Sequence, residues 1–137
     1  MPKKVVKKAV DDAIAHINKN DPQREERIHD EYLVDTYNDP QDKAMGWYYS
    51  LSDMIFEGVP CRCFKERSMS PLTVGDKVKI IGMAPEEDCM REMFVSVRWN
   101  DRYIAVPLNQ LEPLDADNDA TQVIEDWHYW CLMGYEF

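Results

Sequence analysis

Five glycines and three histidines in 137 residues set the first limits. With so few glycines the chain has little material for a phosphate-cradling loop, and no glycine-rich nucleotide signature is present. His16, His29 and His128 are widely separated, and no serine or cysteine sits in a recognisable nucleophile elbow. Nothing in the chain therefore points to an enzyme. No run of about 18 apolar residues occurs, so no transmembrane helix and no membrane partner are expected. The start, MPKKVVKKAVDDAIAHINK, has lysines but no apolar stretch long enough for a secretory leader. A cytoplasmic location is the expectation, and there Cys61, Cys63, Cys89 and Cys131 stay reduced unless they hold metal.

Basic residues are also scarce, 16 against 26 acids, for a formal net charge of -10. A phosphate backbone would be repelled, which argues against nucleic-acid binding and favours cations or a basic protein partner. The deficit is uneven. Residues 1–20 carry five Lys and two Asp, and residues 21–137 carry 11 basic and 24 acidic side chains, so the body is more acidic than the whole. What is plentiful is apolar surface, 45% hydrophobic with 11% aromatic. That composition suits one compact domain with a buried core.

The periodicity divides the chain. Val6, Val10, Ile14 and Ile17 fall at helical spacing, predicting an amphipathic extension over 1–22. Asn20-Asp21-Pro22 and Asn38-Asp39-Pro40 each read as a stop, an N-cap and a proline at the first helical position. They open two helices within 23–58, the first burying Ile28, Tyr32 and Leu33, the second Trp47 and Leu51. Gly46 in the second helix permits close packing. From Val59 the period becomes two. Extended stretches over Pro60–Phe64, Lys77–Ile81, Met93–Trp99 and Arg102–Val106, an Asn100-Asp101 turn, and a short helical turn with a last short strand within Pro107–Pro113 predict a small SH3-like β-barrel over 59–114. A closing helix over 120–133 carries Val123, Ile124, Trp127 and Trp130, with Gly134 at its end. The expected class is α+β: a small SH3-like barrel flanked by N-terminal helices and a C-terminal helix, with 23–137 forming a single domain.

Several segments then resemble a known family. They are Ala44-Met45-Gly46-Trp47-Tyr48-Tyr49, Glu66-Arg67-Ser68-Met69-Ser70-Pro71-Leu72, Met83-Ala84-Pro85-Glu86-Glu87, Ala105-Val106-Pro107-Leu108, Gln110-Leu111-Glu112-Pro113, Asp126-Trp127-His128-Tyr129-Trp130 and Gly134-Tyr135-Glu136-Phe137. In this order, over roughly residues 24–137, they resemble the cyanobacterial calcium-binding protein (CcbP) family. The resemblance implies an acidic cytosolic SH3-like barrel that binds Ca²⁺ without an EF-hand, in buffering or signalling. It carries Asp53 over as a calcium ligand.

Calcium takes six to eight oxygen ligands, so grouped carboxylates are the candidates. Three groups exist. Asp53 and Glu57 stand one turn apart near a helix end, where their mutual repulsion and the helix dipole both favour a bound cation. Glu86, Glu87 and Asp88 are consecutive in a loop between strands. Asp115, Asp117 and Asp119 open like an EF-hand loop, but Ala120 stands where that loop needs glycine and Asp126 where it prefers glutamate. An irregular cation site is the reading there, with N-capping by Asp119 as the competing role. Two alternatives differ in class: an acidic protein-interaction module, and a zinc site drawn from Cys61, Cys63, Cys89, His128 and Cys131.

Overall fold

The computed structural model describes residues 17, 20–36, 39–55, 58–114 and 118–137. The predicted basic helix, apart from the buried Ile17, lies outside the described residues, as do Glu57, Asp115 and Asp117.

Local chemistry sets the helix starts. Helix α1 (Pro22–Arg27) is capped by Asp21, whose carboxylate accepts from the amides of Gln23 and Arg24. Helix α2 (Pro40–Met54) is capped by Asp39, which accepts from the amide of Asp42. In both, proline occupies a position whose amide would have no helical partner. The first helix does not run on as one α-helix. It passes into a π-helical turn, Ile28–Tyr32, whose wider winding leaves Ile28 and Tyr32 both buried.

Five antiparallel strands follow: β1 (Val59–Cys63), β2 (Lys77–Met83), β3 (Phe94–Trp99), β4 (Arg102–Pro107) and β5 (Leu111–Pro113). Their order in the sheet is β4-β3-β2-β1-β5. β3 and β4 form the predicted hairpin, turning through Asn100 and Asp101, both at positive φ (47° and 62°). Those dihedrals match the right-handed twist of the flanking strands, and Asn and Asp tolerate them better than most residues. A single 3-10 turn, Leu108–Gln110, brings the chain from β4 to β5, which returns to pair with β1. A mixed α+β architecture with a five-stranded antiparallel sheet is thus present. The closed barrel expected from the sequence is not: β4 and β5 are the two edges and do not pair with each other, so the sheet stays open.

Helix α3 (Asn118–Leu132) closes the chain. It ends on Gly134, whose φ of +74° suits the left-handed cap at little steric cost. Alternate residues of the strands, among them Cys61, Ile80, Val95 and Val97, are buried on the face that α2 and α3 cover. Trp47 is the hub. It is fully buried, with its ring 5.1 Å from Tyr32, 5.1 Å from Trp127 and 5.8 Å from Trp130. The predicted aromatic stripe is therefore core, although Tyr48 is only half-buried.

One glycine carries a testable demand. A Cβ on Gly46 would be driven into the backbone carbonyl oxygen of Tyr32, with Leu33 and Thr36 side chains also in contact. Backbone cannot swing aside as a side chain would. Gly46→Ala is expected to destabilise the fold by about 1–3 kcal/mol despite the better helix propensity of alanine. Urea unfolding checks this, and a neutral or stabilising result would show that α2 and the chain at Tyr32 are not packed this closely.

Candidate metal site on helix α2 and the acidic turn

Helix α2 has two faces because its apolar residues recur at helical spacing. Ala44, Trp47 and Leu51 point into the core. Tyr49 and Asp53, four residues apart, are exposed on another side. Beside this helix the chain leaves β2 and forms a one-turn 3-10 helix, Glu86–Cys89. Buried Cys89 pins the turn from beneath, and Glu86, Glu87 and Asp88 are all exposed.

Two adjacent phenols join the helix to the turn. The Tyr48 hydroxyl donates to the carbonyl of Ala84 at 2.7 Å, and the Tyr49 hydroxyl donates to Glu86 Oε1 at 2.6 Å. The two rings meet edge to face, 5.6 Å apart. Burial, then the negative charge at Cys89, Glu86 and Glu87, pushes the Tyr48 phenol above its ordinary pKa. Tyr49 is pushed up by its hydrogen bond to Glu86 first, then by burial and the carboxylate charge. The carboxylate of Glu86 contributes to both shifts, and its charge is what a cation would neutralise.

The donor chemistry fits calcium: the ligands on offer are carboxylate, carbonyl and phenol oxygens, all hard. The geometry is open. Among the described residues no three His, Cys, Asp or Glu side chains are grouped closely enough to hold a metal ion. The structure links the Asp53 face of α2 to Glu86–Asp88 through Tyr49, but it builds no complete cage there. Asp119 belongs to a separate element. It is exposed inside the first turn of α3, which starts at Asn118, so it does not precede the helix as a cap would.

The same helix start rules out an EF-hand geometry. Helix begins at the fourth of the twelve residues from Asp115 to Asp126, where that loop must still be unwound. Asp126 is fully buried and already satisfied. It accepts from Arg24 Nη1 at 2.7 Å, from Arg27 Nε and Nη2 at 2.7 Å each, and from the Tyr32 hydroxyl at 2.7 Å.

The zinc alternative is also corrected. Cys61, Cys63 and Cys89 are buried and Cys131 is half-buried, yet they join no metal-binding group with His128. Burial pushes the thiols of Cys61 and Cys131 up to about 12, as expected of neutral thiols packed in a core. The Cys63 thiol donates to the Lys65 carbonyl, and His128 Nε2 lies 2.7 Å from the Leu111 carbonyl oxygen. These are the contacts of core residues.

The role of Tyr49 was not read from the sequence. An exposed tyrosine four residues before a carboxylate on one helix was the available signal, but its partner is 37 residues away.

Comparison with known proteins gives one answer from two directions. A family model described as calcium binding, CcbP, matches residues 26–131. The crystal structure of Anabaena CcbP superposes with a TM-score of 0.77 at 34% identity, covering 88% of this chain and 98% of that one. A calcium-binding protein in its calcium-binding form superposes with a TM-score of 0.74, also at 34% identity, covering 86% of this chain and 96% of that one. Curated protein sequences give no match. This chain belongs to the CcbP family of calcium-binding proteins.

Proposed function

We propose that this protein binds Ca²⁺ reversibly through exposed carboxylates, as a cytoplasmic calcium buffer or signalling component without catalytic activity. The observation that supports the siting is the Tyr49–Glu86 hydrogen bond, which ties helix α2, with Asp53 exposed one turn on from Tyr49, to the acidic turn Glu86–Asp88. Family membership and a relative solved in its calcium-binding form support the choice of ion. Glu57, Asp115 and Asp117 remain candidate ligands. The strand order, with β5 returning to β1 after a 3-10 turn, supports reading the sheet as an SH3-like barrel with an open seam.

A site without a full protein cage keeps several waters on the ion. Its affinity is expected on the order of 10⁻⁵ to 10⁻³ M. Calorimetric titration of the apo protein in about 0.15 M salt checks this, with Mg²⁺ and Zn²⁺ as rivals. Asp53→Ala and Glu86→Gln should each weaken calcium binding by roughly tenfold, the scale of one lost charged ligand. If both variants bind calcium like the parent, the site lies elsewhere on the surface. A thermal shift reproduced by NaCl at matched ionic strength would mean screening and no site.

A further inference from the structure

A second anionic feature lies on the far side of α1 and has nothing to do with the α2 surface. It is an open groove of about 560 Å³, lined by Pro22, Glu25, Glu26 and His29 from the N-terminal side and by Tyr129 and Tyr135 from the C-terminal side. The two tyrosines converge on Glu25. Buried Tyr129 donates a short hydrogen bond to Glu25 Oε2, and Tyr135, more than a third exposed, donates to the same oxygen at 3.0 Å. Two phenols and a carboxylate thus form a preset wall and floor.

The charge of this groove is left uncompensated by the way α1 is used. Both arginines of α1 are engaged elsewhere, because Arg24 and Arg27 hold Asp126 on α3. Among the described residues the nearest basic side chain to Glu25 is that of His29, with Nε2 3.7 Å away, and no lysine or arginine pairs with Glu25 or Glu26. An open groove with aromatic faces and a fixed carboxylate has the chemistry that recognises a cation with an apolar body. A guanidinium suits it best, because its plane can stack on the exposed Tyr135 ring while its fork reaches the carboxylates.

We propose that this groove is a docking site for an arginine side chain on an exposed segment of a partner protein, separate from calcium binding. Glu25 is the charged anchor, Tyr135 the stacking wall and Tyr129 the buried post that fixes Glu25. Charge complementarity selects the occupant: the body of this chain, residues 21–137, holds 24 acidic against 11 basic side chains.

The test is a titration followed by amide NMR on the full chain, in excess calcium chelator, with N-acetyl-arginine methylamide as probe and its citrulline analogue as the neutral control. Saturable shifts in the millimolar range, concentrated on residues 22–29, Tyr129 and Tyr135 and absent with citrulline, are the expected result. Glu25→Gln, which keeps an oxygen to accept from both tyrosines, should weaken the probe by roughly fivefold or more, and Tyr135→Ala by a similar factor. Shifts spread evenly over the acidic surface and unchanged in Glu25→Gln would overturn the proposal. So would a different outcome in the full chain carrying Lys3, Lys4, Lys7 and Lys8 all changed to Gln. If the probe binds that variant more tightly, the groove serves the chain's own lysine-rich segment and not a partner.

Discussion

Asp126→Ala should lower the unfolding free energy by about 3–5 kcal/mol, a large share of the stability of a domain this size. The wild-type carboxylate is fully buried and takes four hydrogen bonds, three from the guanidinium groups of Arg24 and Arg27 and one from Tyr32. Its removal leaves two partly buried cations facing each other across the gap and a buried phenol with no acceptor. The loss comes from what is left unpaired, more than from the bonds themselves. The carboxylate also acts on the ionisation of its partners: the Asp126 hydrogen bond raises the Arg27 pKa, and burial, then the same carboxylate, raises that of Tyr32. At about 3–5 °C per kcal/mol for this length, the melting temperature should fall by roughly 10–20 °C. Asp126→Asn, which keeps the shape and one acceptor oxygen, should lose less. A melting temperature within a few degrees of the parent for Asp126→Ala would show that the arginines find other partners.

Trp47→Ala should cost a similar amount, about 3–5 kcal/mol, by a different route. The indole, itself on α2, touches the π-helical turn through Tyr32 and α3 through Trp127 and Trp130. Its indole nitrogen has no hydrogen-bond partner, so its contribution is packing and not polar pairing. Deletion leaves a cavity among three rings that cannot collapse without moving two helices. The denaturant midpoint should drop while the slope of the transition stays unchanged, since the same surface is exposed on unfolding. Trp47→Phe should recover about half of the loss. A small effect of Trp47→Ala would mean that the helices close over the space.

What the sequence discloses here is what is decided within a few residues. The caps Asp21-Pro22 and Asp39-Pro40, the Asn100-Asp101 turn and the glycine stop after α3 are all satisfied by near neighbours, so each was legible. Strand alternation was legible for the same reason, and the structure buries Ile80, Val95 and Val97. The π-helical turn was not legible, because it depends on where Tyr32 must go to reach Asp126 and Trp47. Nor was Asp126 itself. Its partners are 94 to 102 residues away, and the sequence showed it only as the twelfth position of a pattern that departs from an EF-hand. Arg24 and Arg27, three apart on one face, were the only local hint. Sheet closure was overread, since alternating strands predict a sheet but do not say whether its last strands meet. At the candidate site the reverse holds. Asp53 and Glu86 were named from the sequence, while the tyrosine between them emerged from the fold.

The clasp between Arg24, Arg27 and Asp126 also bears on time. It joins residues about a hundred positions apart, so it is expected to close after the helices and sheet between them have formed. Interactions made after the rate-limiting step do little for the speed of folding and act on the speed of escape. The clasp is therefore expected to set how long the native state lasts once reached, holding the two ends of the domain together against fraying.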